Sequence, residues 1–226
     1  MIEPVEIDSF GDFINHMEIA PLMGSTVLFR GQAKRRNLLP SIARTDNSVD
    51  TTAQELKMLE QLSLLGASKL ASSDSDEWAL LTKAQHFGLK TRCLDWTTNP
   101  LVALWFACHG STEVDSYVYM FAADDSSLPD KKISPFEQPH YCIYQPSFSN
   151  ERVTAQHGWF TLHNYDSSEG KFVPLEEIES SNILEYIIPK HKKADLLFSL
   201  DQCGINMSTL FPDLSGLCSY INEKLT

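Results

Sequence analysis

A chain of 226 residues, 42% of them hydrophobic and 21% charged, is long enough to bury a core and too apolar for wholesale disorder. Its formal charge of −12 at pH 7 opposes nonspecific contact with nucleic acid or an anionic membrane. The longest apolar stretch, residues 100–108, falls well short of the ~20 residues that a membrane-spanning helix requires.

The acidic opening Glu3-Pro4-Val5-Glu6 lacks the basic region that begins a signal peptide. Five cysteines form no C-x-x-C pair, and an odd number argues against a disulfide framework or a zinc ribbon. Both features lead to the expectation of a cytoplasmic protein without a bound metal. The charge is unevenly spread. Between Leu28 and Arg44 lie five basic residues (Arg30, Lys34, Arg35, Arg36 and Arg44) and no acid, which leaves the rest of the chain at −17. A basic island in an acidic body suits a small phosphate-bearing ligand better than a long polyanion.

In chain order, Phe10, Phe13, Ile14 and Met17 share one helical face, so the spacing predicts a helix over residues 8–19. Thr26-Val27-Leu28-Phe29 reads as a buried strand ending at Arg30-Gly31. Leu56, Leu59, Leu62 and Leu65 predict a helix from Thr52, with Thr52 and Glu55 at capping-box spacing. A further helix is expected over residues 76–87, stopped by Gly88. Asn99-Pro100 starts the next, which runs to Gly110 and is apolar all round, as a buried helix is. Strands are expected at 117–122, 152–163 and 183–188, with a long surface excursion at 124–149 and a helix over 190–202. This order lacks regular βαβ alternation and predicts an α+β fold: one domain over 1–226, a small mixed or antiparallel sheet flanked by helices.

Three polar clusters carry the candidate chemistry. Arg30 at a strand end can fork onto a phosphate or pair with a buried carboxylate, and Gly31 allows close approach to the backbone. The segment Gln85 to Pro100 packs Gln85, His86, Arg92, Asp95, Thr97 and Thr98 between two apolar helices. There His86 is the group best able to titrate near neutrality, and alternation puts Asp95 and Thr97 on one strand face. These groups bind a ligand or satisfy one another. In the third cluster, a strand over 152–163 would put Gln156, Gly158 and Phe160 on one face. Cys93 beside Arg92 shows no sign of activation, and no P-loop, G-x-G-x-x-G or G-x-S-x-G motif is present.

Phe29-Arg30-Gly31, Leu39-Pro40-Ser41-Ile42-Ala43-Arg44 and, above all, the run from Ala84 to Ala107 resemble the FRG family, which is named for its (Phe/Tyr)-Arg-Gly signature. Arg152 to Phe160 resembles it more weakly, so the motif-bearing core covers about residues 25–165, with the strand and helices of 183–226 packed on it. Lys90 departs from the proline often found there. The family resemblance supplies a name and no reaction. More distantly, Phe29-Arg30 and Trp96-Thr97-Thr98 with the following helix resemble the first two signatures of arginine–serine–glutamate ADP-ribosyltransferases. Gln156 stands where their glutamate would be.

That likeness implies NAD as a substrate, with Arg30, Gln85, Arg92, Thr97 and Thr98 binding it. Asp95, His86 and Gln156 would then be the catalytic candidates, Asp95 or His86 supplying the acid–base or anionic role that Gln156 cannot. The alternative is a non-catalytic module binding a nucleotide or a protein partner in the same cleft.

Overall fold

The computed structural model describes residues 3–24, 26–71, 76–110, 112–147 and 151–225. The chain opens with β1 (Val5–Glu6), α1 (Phe10–Met17), α2 (Ala20–Met23) and β2 (Thr26–Gln32). Then come α3 (Thr52–Leu65), α4 (Glu77–His86), β3 (Cys93–Thr97), α5 (Pro100–Cys108) and β4 (Ser116–Ala123). The middle holds β5 (Tyr141–Tyr144), α6 (Glu151–Ala155), β6 (Gly158–His163), β7 (Tyr165–Asp166), β8 (Lys171–Phe172) and α7 (Leu175–Ile178). It closes with β9 (Ile183–Ile188), α8 (Lys193–Gln202), α9 (Met207–Leu210) and α10 (Leu214–Leu225).

Among the described residues, seven strands form one sheet in the order β1-β9-β4-β2-β3-β6-β5, and β7 with β8 forms a separate ribbon. All neighbours in the large sheet are antiparallel except β1 with β9. The fold is therefore α+β, with a sheet more extensive than the sequence predicts. Alternation along β2 sends Leu28 to one face, with Leu94, Trp96 and Phe121, and Phe29 to the other, with Val102, Ala103 and Val118. Beside that second layer, α4 packs Trp78, Leu81 and Ala84 against Cys93 and Leu162. Each of the larger aliphatic and phenyl side chains buried here contributes roughly 1.5–3 kcal/mol.

Local chemistry explains the helices that frame the site. Asn99 caps α5 by accepting from the Leu101 N–H at 3.0 Å, and Pro100 occupies the first turn without wasting a donor. Asp76 caps α4 by accepting from the Ala79 N–H at 3.2 Å, and Gly88 at φ +85° turns the chain away at its end.

Several expectations are corrected. The first helix covers only Phe10–Met17, and α2 follows as a separate turn. No capping box forms at Thr52: its N–H donates to Asp50, while the Glu55 carboxylate is drawn inward to Arg92. The 124–149 excursion contains β5, whose Cys142 and Ile143 are buried; its positions 148 and 149 lie outside the described residues. The stretch 152–163 is not one strand. It begins inside α6 and becomes β6 only from Gly158, so Gln156 sits in the turn between them and shares no strand face with Phe160. Residues 190–192 form a 3₁₀ turn ahead of α8.

Candidate active-site cleft

β2 and β3 pair only at Phe29 opposite Thr97. Beyond that bridge β2 continues along β4 alone and β3 runs along β6 alone, so the two central strands part. The Arg30 side chain crosses the opening, and its Nη1 donates to the Asp95 carbonyl oxygen at 2.5 Å. The same nitrogen lies 3.7 Å from Asp95 Oδ2. Burial lowers the Arg30 pKa to about 10, with Asp95 opposing that shift, so the group is cationic at neutral pH. Its Nε is buried and has no hydrogen-bond partner among the described residues.

α5 closes the opening from one side. A Cβ at Gly31 would lie 1.9 Å from the Ala103 carbonyl oxygen and 2.5 Å from the Ala107 nitrogen, so only glycine permits this approach of helix to strand. The result is a cavity of about 300 Å³, near the lower end of small-ligand sites. Phe29, Gly31, Val102, Ala103 and Phe106 make its apolar side. Gln85 and His86 enter from the end of α4, and Asp95, Trp96 and Thr97 from β3. Arg152, Gln156 and Phe211 complete the wall.

Asp95 is the one carboxylate among the lining residues, and its side chain is 58% exposed. Gln85 Nε2 donates to its Oδ1 at 2.9 Å, and Gln85 is in turn held by the Thr91 hydroxyl, which donates to its Oε1 at 2.6 Å. Thr97 Oγ1 accepts from the Asn99 N–H at 3.0 Å and keeps its own proton for another acceptor. Gln156 Nε2 donates to the Leu210 carbonyl at 3.0 Å. Burial, with Arg152 nearby, lowers the His86 pKa, so its imidazole is neutral at pH 7. The turn carrying Gln156 includes His157 at φ +49°, a left-handed conformation uncommon for a residue with a side chain.

The cavity thus brings together Arg30, Gln85, His86, Asp95, Thr97 and Gln156. Thr98 is exposed and does not line it; its N–H donates to the His157 carbonyl. Arg92 lies elsewhere, 1% exposed. Its Nε donates to Glu55 Oε2 at 2.8 Å, Nη1 donates to Asn164, and the guanidinium covers the Phe136 ring. A guanidinium so occupied holds α3 to β3 and leaves no donor turned toward the cleft. Cys93 is buried among apolar side chains, and burial pushes its thiol pKa well up, away from nucleophilic use. Arg152 and Phe211 are additions. Arg152 and Gln156 stand four apart, one helical turn, a spacing that a strand reading hides.

Among the described residues, no cluster of three or more His, Cys, Asp or Glu side chains could hold a metal, and no helix is long and apolar enough to cross a membrane. The family model described as FRG domain matches residues 25–116, from the strand bearing Arg30 to the start of β4. That span includes Gln85, His86, Asp95 and Thr97 and stops before Arg152, Gln156 and Phe211. No curated protein and no solved structure matches the chain.

Proposed function

With an FRG domain present in the chain, we propose that the cleft takes the nicotinamide-ribose end of NAD and cleaves its glycosidic bond. The observation that carries this reading is Asp95, largely exposed, held by Gln85 and Arg30, and the one carboxylate among the residues that line the cavity. As the bond between ribose C1 and the nicotinamide nitrogen breaks, positive charge develops on the sugar, and a fixed carboxylate opposes it. Nicotinamide leaves neutral, water oxygen takes its place at C1, and one proton is released. The Thr97 hydroxyl and Gln156 are within the same cavity to receive ribose hydroxyls, and Phe29 and Phe106 supply flat apolar surface for the base. Neutral His86 is available to take the proton from the attacking water.

A second reading, binding without turnover, is favoured by Gln156. It carries no charge and already donates to the Leu210 carbonyl. Both readings place the protein in the cytoplasm, in keeping with its five free cysteines, and treat 1–226 as one domain because β9 and β1 extend the sheet that β2 and β3 build.

Calorimetry with NAD and chromatographic assay of free nicotinamide separate the readings. Asp95→Asn is expected to abolish release while NAD affinity stays within about a few-fold, because shape is kept and only charge is lost. Wild-type protein that binds NAD and releases no nicotinamide establishes the binding reading. No heat at millimolar NAD overturns both.

A further inference from the structure

The basic island divides when its partners are traced. Arg30 is committed to Asp95, and Arg35 Nη2 pairs with Glu185 Oε2 at 2.9 Å. Lys34, Arg36 and Arg44 have no carboxylate within ion-pair distance among the described residues. These three line one cavity of about 500 Å³, which shares no lining residue with the cleft beside Asp95.

This cavity has built walls. Gln32 Nε2 donates to the Arg36 carbonyl at 3.1 Å and fixes the loop carrying Lys34 and Arg36. Arg44 Nε donates to the Leu39 carbonyl at 3.0 Å, which anchors the base of its guanidinium. Asn47, also in the lining, exchanges two hydrogen bonds with Phe172: its Nδ2 donates to the Phe172 carbonyl at 2.9 Å, and its carbonyl accepts from the Phe172 N–H at 2.7 Å. The one acid in the lining, Asp46, is held by the Ser48 N–H and hydroxyl, whose hydrogen bonds keep its carboxyl below the usual range and ionised. Three cations against one carboxylate leave two uncompensated positive charges. Burial lowers the Arg44 pKa, with the nearby Arg36 charge adding to the shift and Asp95 opposing it.

We infer that Lys34, Arg36 and Arg44 form a second ligand site, built for a phosphate monoester or free phosphate in its dianionic form. A dianion cancels the two excess charges, and guanidinium forks match phosphate oxygens. The site stands independently of NAD cleavage, because NAD's two phosphates are joined as a pyrophosphate with a single charge on each, and the cleft beside Asp95 supplies none of these three cations.

Calorimetry at low salt with inorganic phosphate, adenosine 5′-monophosphate, dimethyl phosphate and adenosine tests this. Phosphate and the monophosphate should bind, dimethyl phosphate about tenfold more weakly for its single charge, and adenosine not at this site. Equal affinity for phosphate and the nucleotide identifies the free anion as the ligand, and tighter nucleotide binding identifies an ester. Lys34→Ala and Arg36→Ala alter exposed side chains, keep the fold, and should each weaken binding about tenfold. Arg36→Glu should abolish it. Absence of heat with both dianions at millimolar concentration overturns the inference. So does binding that survives Arg36→Glu unchanged in a protein whose melting curve is intact.

Discussion

At Arg92 a residue with the chemistry of a ligand contact does the work of a core side chain. Its guanidinium bonds Glu55, Thr52 and Asn164, and its backbone N–H donates to Glu55 as well. Both ionic side chains are almost fully buried, so removing one strands the other without solvent. Arg92→Ala is therefore expected to cost about 3–5 kcal/mol, read as a fall in melting temperature. Replacing Arg92 and Glu55 together with apolar residues should cost less, because no charge is then left unpaired. Neither experiment bears on the cleft, which Arg92 does not touch. The sequence offers no way to tell Arg30 from Arg92. Both are arginines beside strands in polar clusters, and only the position of Glu55, distant in sequence, decides which is occupied internally.

Among the elements, β2 and α5 meet more closely than any side chain would allow. Gly31→Ala would drive its Cβ into the backbone of α5 rather than into a flexible side chain, so neither partner can yield locally. The expected loss is about 3 kcal/mol or more, at the upper end for overpacking, with the cleft deformed as well. Thermal melts of Gly31→Ala beside a Gly11→Ala control check it, since a Cβ at Gly11 has nothing within 4 Å. Elements with strong punctuation were legible beforehand: α5 from Asn99-Pro100, the end of α4 from Gly88, and β9 from its stop at Pro189. So were six of the residues that line the cleft. α6 was not, because Arg152-Val153-Thr154-Ala155 is too short to show a helical period and its Val and Thr favour strands. β5 was hidden among prolines, its burial supplied by α4 and β6 from distant sequence.

On the scale of the whole molecule, the fold is expected to lose stability in acid. His163 on β6 is 1% exposed, and burial, with the Arg30 charge adding to it, brings its pKa down to about 4. In the unfolded chain an imidazole titrates near about 6.5. Between those values the unfolded state binds more protons, so stability is complete above about pH 6.5 and falls as the pH drops toward about 4. The expected loss is about 3 kcal/mol across that window. His163→Gln should flatten this part of the curve in denaturant titrations at stepped pH, which separates it from the carboxylates that titrate alongside.

The single bridge between Phe29 and Thr97 makes the sheet two leaves, β1-β9-β4-β2 and β3-β6-β5, sharing one rung. Arg30 reaches from the first leaf to the second, and the cleft takes Phe29 and Gly31 from one and Asp95 and Thr97 from the other. An occupant touching both would act as a staple, so its binding free energy also resists any parting of the leaves. The converse follows by linkage: a substitution that loosens the rung taxes affinity even when every group touching the occupant is intact.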